Sequence, residues 1–401
     1  MFSSESEMQA WLSQKMKSCS GLSELILNGD YLDKFTPSSV EETRALKSYK
    51  ECYSALHINE IISENKNISL KKGDSLKPDF LMYASEVEGV VIVELKNLAG
   101  PSREAGTELS AYSGELRSYI PFLSEGDLFN VIISPVWPTL IRHYVFQEVF
   151  YQRKNIICLE PVIKDNDFAL KIVDIPKIME HESATKISSK HITGYVVCMY
   201  NYEGCGQQQD INRLDEFLPQ MKSALSVMAT EGERLQSSGF AFLWKNYSPQ
   251  GMSPYFISMA NLSPFSSIER FMHEIDDIDE LSNIQKRFVD LVASKGLLGH
   301  GAALNNIYSS GERFLHKICR PRIEALQTWE VLQHYMYERG DLIAFKGWGM
   351  FGDMFNELLI HEYEQGYSET DLTCPALGLR VLDEIIDPLY NFIEISNYEY
   401  T

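Results

Sequence analysis

Apolar residues recur at helical spacing over residues 5–27, where Met8, Trp11, Leu12 and Met16 fall on one side. A second stripe, Leu46, Tyr49, Cys52, Tyr53 and Leu56, predicts a helix over 38–64. Ser39 suits its N-cap and Glu41 and Glu42 its first turn. Glu60 continues that stripe, an unusual place for an acid. Three strand patterns follow, at 68–73, 77–83 and 89–97. The last, GVVIVELKN, is nearly continuous in β-branched residues, as a strand buried on both faces is. Residues 103–120 predict a helix on Ala105, Leu109, Tyr112, Leu116 and Tyr119; a strand at 129–135, a helix at 140–151 and strands at 155–161 and 168–174 complete the set. Helix, three strands, helix, strand, helix, strand is the order of an α/β layered domain around a mixed sheet.

Residues 180–191 are polar and read as a linker. Beyond them a strand at 194–201, a helix at 214–235 and strands at 239–246 and 254–261 describe a small α/β unit, with the turn-rich SPQGMS between the last two strands. From residue 267 the pattern is helical to about 391, interrupted by glycines at 296–301, by Pro321 and by GWGMFG at 347–352. The expected organisation is thus an N-terminal helical segment (1–37), an α/β domain (38–180), a small α/β domain (190–265) and a mainly helical region (266–401). No repeat or low-complexity tract appears.

At 401 residues, two or three domains are expected. Hydrophobic residues make up 44% and charged ones 23%, values of a globular chain with a sizeable core. No apolar run reaches the ~18–20 residues of a bilayer span, and the opening MFSSESEMQAWL lacks a basic start and apolar core, so no membrane partner and a cytoplasmic location are expected. Seven cysteines, an odd number without a CxxC pair, fit reduced thiols better than disulfides or zinc. The net charge of −20 repels polynucleotides at long range, so any nucleic-acid function needs a local basic patch, a metal, a partner or a second state of the protein to overcome it.

Asp79, Glu94 and Lys96 are the residues in which chemistry concentrates. Glu94 and Lys96 lie two apart on one strand and share a face. They end an apolar run, where a charged pair must reach solvent or be paired at a site. Asp79, fifteen residues earlier on the preceding strand, can be folded back beside them by a hairpin. Two carboxylates converging on one point suit Mg²⁺ or Mn²⁺, and a neighbouring ammonium can orient water or stabilise an anionic transition state. An exposed ion pair is the plainer reading of Glu94 and Lys96.

In these residues the chain resembles the PD-(D/E)xK, or restriction-endonuclease-like, nucleases: Pro78-Asp79 reads as the PD, and Glu94-Leu95-Lys96 as the ExK. The resemblance covers about residues 38–160 and implies an αβββαβ core. By position it makes Asp79 and Glu94 metal ligands with the Leu95 carbonyl as a third, and Lys96 the residue that positions or activates water. Mg²⁺ is the implied cofactor, with Mn²⁺ able to substitute. Many relatives add a Glu from the helix before the first strand; Glu60 is the best-placed residue for it, ahead of Glu51, Glu64 and Glu7. Some carry QxxxY on the helix after the ExK strand, where this chain has Glu108 and Tyr112, so that Glu stands for Gln.

The resemblance implies a metal-dependent nuclease leaving 5′-phosphates, favours DNA over RNA as substrate, leaves endonuclease and exonuclease modes open, and suggests prokaryotic antiviral defence or repair. The C-terminal region would govern substrate access, assembly into a homo-oligomer or binding of a protein partner. A nuclease-like scaffold without activity, which the acidic balance favours, is the alternative, and a different enzyme housed in 186–401 is a third reading. RFLHKICRPR at 313–322, with Phe314, reads as a cation-decorated helix end or as a nucleic-acid contact. The scattered histidines, the GWGMFG segment, taken as a turn between helices, and the acids at 276, 277, 279 and 280 read as structural.

Overall fold

A computed structural model describes residues 2–97, 104–165, 167–179, 187–201, 213–247, 253–263, 282–295, 301–367 and 369–387. The chain forms two compact units, Met1–Ala184 and Thr185–Thr401. Cys205, His300, the acids at 276–280 and most of the 180–191 linker lie outside the described residues. No helix among the described residues is long and apolar enough to cross a membrane.

The first unit contains α1 (Glu5–Met16), α2 (Tyr31–Lys34), α3 (Val40–Ala55), β1 (Asn59–Glu64), β2 (Phe80–Ala84), β3 (Gly89–Leu95), α4 (Glu104–Tyr119), β4 (Leu128–Ile133), α5 (Thr139–Phe146), β5 (Asn155–Lys164), β6 (Asp167–Ile172) and α6 (Ile175–Met179). Its six strands lie side by side in chain order. β1, β2 and β3 form an antiparallel meander, β3, β4 and β5 run parallel through the crossovers α4 and α5, and β6 returns antiparallel. The mixed α/β sheet is therefore as expected. Every residue of β3 is buried, which is what its unbroken apolar run demands.

α3 begins where Ser39 caps it, the hydroxyl accepting from the Glu42 amide. It ends at Ala55, well short of residue 64, because Asn59 terminates it: its Nδ2 donates to the Ala55 carbonyl at 2.7 Å and its Oδ1 accepts from the Leu22 amide at 3.1 Å. The β-branched NEIISE that follows becomes β1, so Glu60 lies on a strand and not on a helix. The strand expected at 68–73 does not form either. Asn67 ties that stretch into a loop, its Oδ1 accepting from Ser69 and Leu76 and its Nδ2 donating to the Asp74 carbonyl.

Residues 1–37 are not a separate segment. α1 ends at Met16, and Ile26 bridges Leu170 on β6. The Asn28 side chain brackets Ile172, accepting from its amide at 2.7 Å and donating to its carbonyl at 3.2 Å. These bonds cover the outer edge of β6, which an unpaired strand would leave open to aggregation.

The second unit contains β7 (Ile192–Tyr200), α7 (Leu218–Arg234), β8 (Gly239–Asn246), β9 (Tyr255–Leu262), α8 (Asn283–Lys295), α9 (Gly301–Leu315), β10 (Arg320–Thr328), α10 (Trp329–Arg339), β11 (Gly340–Trp348), α11 (Met350–Glu364) and α12 (Pro375–Ile385). The division into a small domain at 190–265 and a helical region at 266–401 is corrected by β10 and β11, which join β7, β8 and β9 in one antiparallel sheet of order β10-β7-β9-β8-β11. β7, α7, β8, β9, α9 and β10 make a split βαβ arrangement, and β11 extends it. Pro321 had suggested a break between helices. It sits at the start of an edge strand, where a missing N–H costs little. GWGMFG joins a strand to a helix instead of two helices: Gly349, at φ +60°, makes the turn, and a Cβ there would meet the Ser237 carbonyl at 2.4 Å.

Within the first unit, α3 is stitched to β5 by Ser48, buried, whose hydroxyl accepts from the Ile156 amide at 2.8 Å and reaches the Ile156 carbonyl at 3.0 Å. Ser48→Ala is expected to lower the stability of this unit by about 1–3 kcal/mol, the cost of a buried polar group left unpaired. Denaturant unfolding checks this, and an unchanged midpoint would refute the stitch.

Candidate active site

β2 and β3 pair in register from Phe80 opposite Val93 to Ala84 opposite Gly89. One step beyond that ladder, Asp79 meets the end of β3, and its Oδ2 accepts a 2.7 Å hydrogen bond from the Leu95 amide. Glu94 is buried at 4% exposure. Its Oε1 accepts from Lys96 Nζ at 2.7 Å, while its Oε2 is buried without a hydrogen-bond partner. Lys96 Nζ donates a second 2.7 Å bond to Glu108 Oε2 on α4. One turn along α4 from Glu108, Tyr112 is buried and donates from its hydroxyl to the Lys77 carbonyl at 3.1 Å.

The fold therefore brings Asp79, Glu94, Lys96, Glu108 and Tyr112 together, and leaves Glu60 out. Glu60 pairs with Tyr83, and Tyr83 with Val90. It shares the sheet face of Glu94 but lies four residues down the sheet, ~13 Å at the rise of a strand. Glu64 accepts from Ser13 Oγ at 2.7 Å, Glu51 is exposed on α3, and Glu7 closes back on Ser3 at the start of α1.

The acid that a helix before β1 does supply is Glu5, on the first turn of α1, which the motif reading missed. Its Oε1 accepts from the Asn97 amide at 2.9 Å, directly after Lys96, and its charge is near enough to push the Asp79 pKa upward. The same helix sends Gln9 Nε2 to the Asp79 carbonyl at 3.5 Å. Helical spacing placed Glu5 on α1, but nothing local said that α1 would end beside β3.

Burial raises the Asp79 pKa to about 6, against the lowering effects of the Leu95 amide and Lys96. Burial also lifts Glu94 well above the ordinary carboxylate range; the charge of Asp79 adds to this and Lys96 opposes it. These two carboxyls titrate as a pair. Burial pulls the Lys96 ammonium down, but Glu94 and Glu108 more than offset it, so its pKa lies above that of a free lysine. Burial, then Glu94, Glu108 and Asp79, raise the Tyr112 phenol.

The residues fit a hard divalent cation in two respects. Glu94 Oε2 is an orphaned buried oxygen, and Asp79, whose Oδ2 is taken by the Leu95 amide, keeps Oδ1. Both are oxygen donors of the kind Mg²⁺ and Mn²⁺ take. Among the described residues, no three His, Cys, Asp or Glu side chains already converge as a metal-holding group. Lys96 bridges the buried Glu94 and the partly exposed Glu108, and its ammonium supplies positive charge that a buried carboxylate requires. No family model, curated protein or solved structure matches the chain.

A carboxyl whose folded pKa lies above its unfolded value favours the folded chain when protonated. The stability it confers is complete below about pH 4 and is lost as the pH rises through about 6. Asp79→Asn should therefore melt higher than the wild type at pH 8 without divalent metal, by about 1–2 kcal/mol, and no higher at pH 4. Thermal unfolding in a chelator at both pH values checks this; an equal difference at the two would contradict the buried-acid origin.

Proposed function

We propose that the first unit is a divalent-metal-dependent nuclease of the PD-(D/E)xK, restriction-endonuclease-like kind, hydrolysing phosphodiester bonds in DNA. The observation that carries this reading is the meeting of Asp79 and Glu94 at the tips of adjacent strands, with one buried carboxylate oxygen unsatisfied and an ammonium 2.7 Å from the other. Most buried polar atoms are hydrogen-bonded; of the acid oxygens left orphaned among the described residues, Glu94 Oε2 has the carboxyl of Asp79 beside it and Glu41 Oε1 does not. An unsatisfied one suits a ligand to come.

Mg²⁺ or Mn²⁺ held there would neutralise charge on the phosphate and make a bound water more acidic. Asp79 and Glu94 would hold it, each with an oxygen free of protein hydrogen bonds, and the Leu95 carbonyl is the backbone group that the resemblance adds. Lys96 acts as a donor. Two carboxylates keep its ammonium protonated, so it orients water or an anionic phosphate oxygen and does not itself remove a proton. Glu108 holds Lys96 from the α4 side, so the ammonium keeps one carboxylate partner when Glu94 turns to a cation. Tyr112, tied to the Lys77 carbonyl, lies near enough for the charges of Glu94, Glu108 and Asp79 to add to burial in raising its phenol pKa.

A second reading, a nuclease-like scaffold without activity, is favoured by the net charge of −20 and by the double ion pair that occupies Lys96.

Supercoiled plasmid incubated with the protein and Mg²⁺ or Mn²⁺ separates the two. The wild type should nick, and Asp79→Ala and Lys96→Ala, folded by circular dichroism, should each lose on the order of 100-fold or more in rate. A folded wild type inert on DNA and RNA with both cations would overturn the nuclease reading in favour of the scaffold.

A further inference from the structure

The sheet of the second unit has two unlike faces. α7 and α9 bury Tyr195, Val197 and Met199 of β7 and Ile257 and Met259 of β9 on one. The residues between these point the other way. Register sets what that other face presents. Arg322 stands opposite Cys198, Cys198 opposite Phe256, and Phe256 opposite Trp244, a row across four strands. The next row toward the end of β7 holds Arg320 opposite Tyr200.

Two of these positions are flat rings that reach solvent. Phe256 alone among residues 255–261 of β9 is not buried. Its ring stacks on Trp244, 4.4 Å between centroids and 13° from parallel, and the Trp244 indole is itself pinned, Nε1 donating to Ser258 Oγ at 3.0 Å. Phe256 is thus a partly exposed ring on a rigid backing. Tyr200, the only residue of β7 not buried, is oriented by its hydroxyl, which donates to Glu324 Oε1 at 3.0 Å. The rings occupy diagonal positions on adjacent strands, ~7–8 Å apart. Beside them on the edge strand, Arg320 and Arg322 are both exposed, and neither forms an ion pair among the described residues. Glu324, engaged by Tyr200, is the acid of β10 nearest to them in sequence.

In a chain of net charge −20, two adjacent guanidiniums without carboxylate partners among the described residues, on the rim of an aromatic surface, are out of keeping with general solubility. An apolar protein partner would use the rings and bury the arginines unpaired. A DNA duplex would use the arginines but keeps its bases stacked away from the rings. A single strand uses both, its bases on the aromatic faces and its phosphates on the cations. We propose that this face binds single-stranded nucleic acid, with Tyr200 and Phe256 as stacking platforms and Arg320 and Arg322 as phosphate contacts. The site lies in the second unit and is independent of the Asp79 site.

The test is fluorescence anisotropy on the full-length protein in a chelator, with labelled DNA and RNA single strands of about 12 nucleotides and a DNA duplex of equal length, over a range of salt. Single strands should bind more tightly than the duplex. Arg320→Gln with Arg322→Gln should weaken single-strand binding about tenfold at low salt and reduce the slope of log K against log salt by about 1–2. Phe256→Leu should weaken it about tenfold and leave that slope unchanged. The arginine pair is exposed and decides the question if Phe256→Leu proves unstable by thermal melting. Failure of the wild type to bind single strands, equal binding of the duplex, or an arginine double variant indistinguishable from wild type would each overturn the proposal. Because no divalent metal is present, binding without any cleavage in a parallel Mg²⁺ assay would count against the nuclease reading alone.

Discussion

The first unit is organised around one electrostatic difficulty, the burial of the Glu94 carboxylate at the end of an entirely buried strand. An ionised acid removed from water costs several kcal/mol unless it is paired. The chain meets that demand only in part. Lys96 satisfies one oxygen, Glu108 holds Lys96 in place, and Asp79 brings a second carboxyl close enough to raise the first one's pKa. The result is a cluster of carboxyls offset, among the described residues, by the Lys96 ammonium. Glu94 Oε2 is left without a hydrogen-bond partner, as are several other buried polar atoms, Glu41 Oε1 among them.

The elements around the site follow from that arrangement. β2 and β3 supply the groups at their tips because their antiparallel register places Asp79 one step beyond the last paired residues. α4 supplies Glu108 and Tyr112 one turn apart, where both reach the same point. α1 closes the rim with Glu5 and Gln9. Elsewhere in the unit short side chains bond backbone: Ser48 ties α3 to β5, Asn28 ties the chain after α1 to β6, and Asn59 links Leu22 to the end of α3. Polar residues of this size make the connections that apolar packing cannot direct.

The second unit solves a different problem. α7 and α9 cover one face of its sheet, and α10, α11 and α12 pack on the other, where Phe240, Phe242, Trp329, Phe345 and Phe351 interlock by edge, tilted and stacked contacts. That packing ends before the row of Arg322, Cys198, Phe256 and Trp244, and the aromatic character continues there into partly exposed rings beside cations. The overall negative charge says little about such a surface, because binding responds to local potential and not to the sum over the chain.

Local patterns determined a good deal by themselves. The run VVIV followed by Glu-Leu-Lys specified a buried strand with two charged groups on one face, since strand alternation is a short-range property. Ser39 marked the start of α3, and β8 begins and ends at residues 239 and 246 as the pattern predicted. Other features were decided only by tertiary contacts. The stripe that put Glu60 on a helix is real as far as Ala55, and it is the bond from the Leu22 amide to Asn59, thirty-seven residues away, that helps turn the chain into a strand. Helical spacing could not exclude β10 and β11, whose extended form depends on pairing with β7 and β8. Glu5 reached the site, and Glu60 did not, for one reason: which acids converge depends on where whole elements dock, a long-range outcome that periodicity along a chain does not encode.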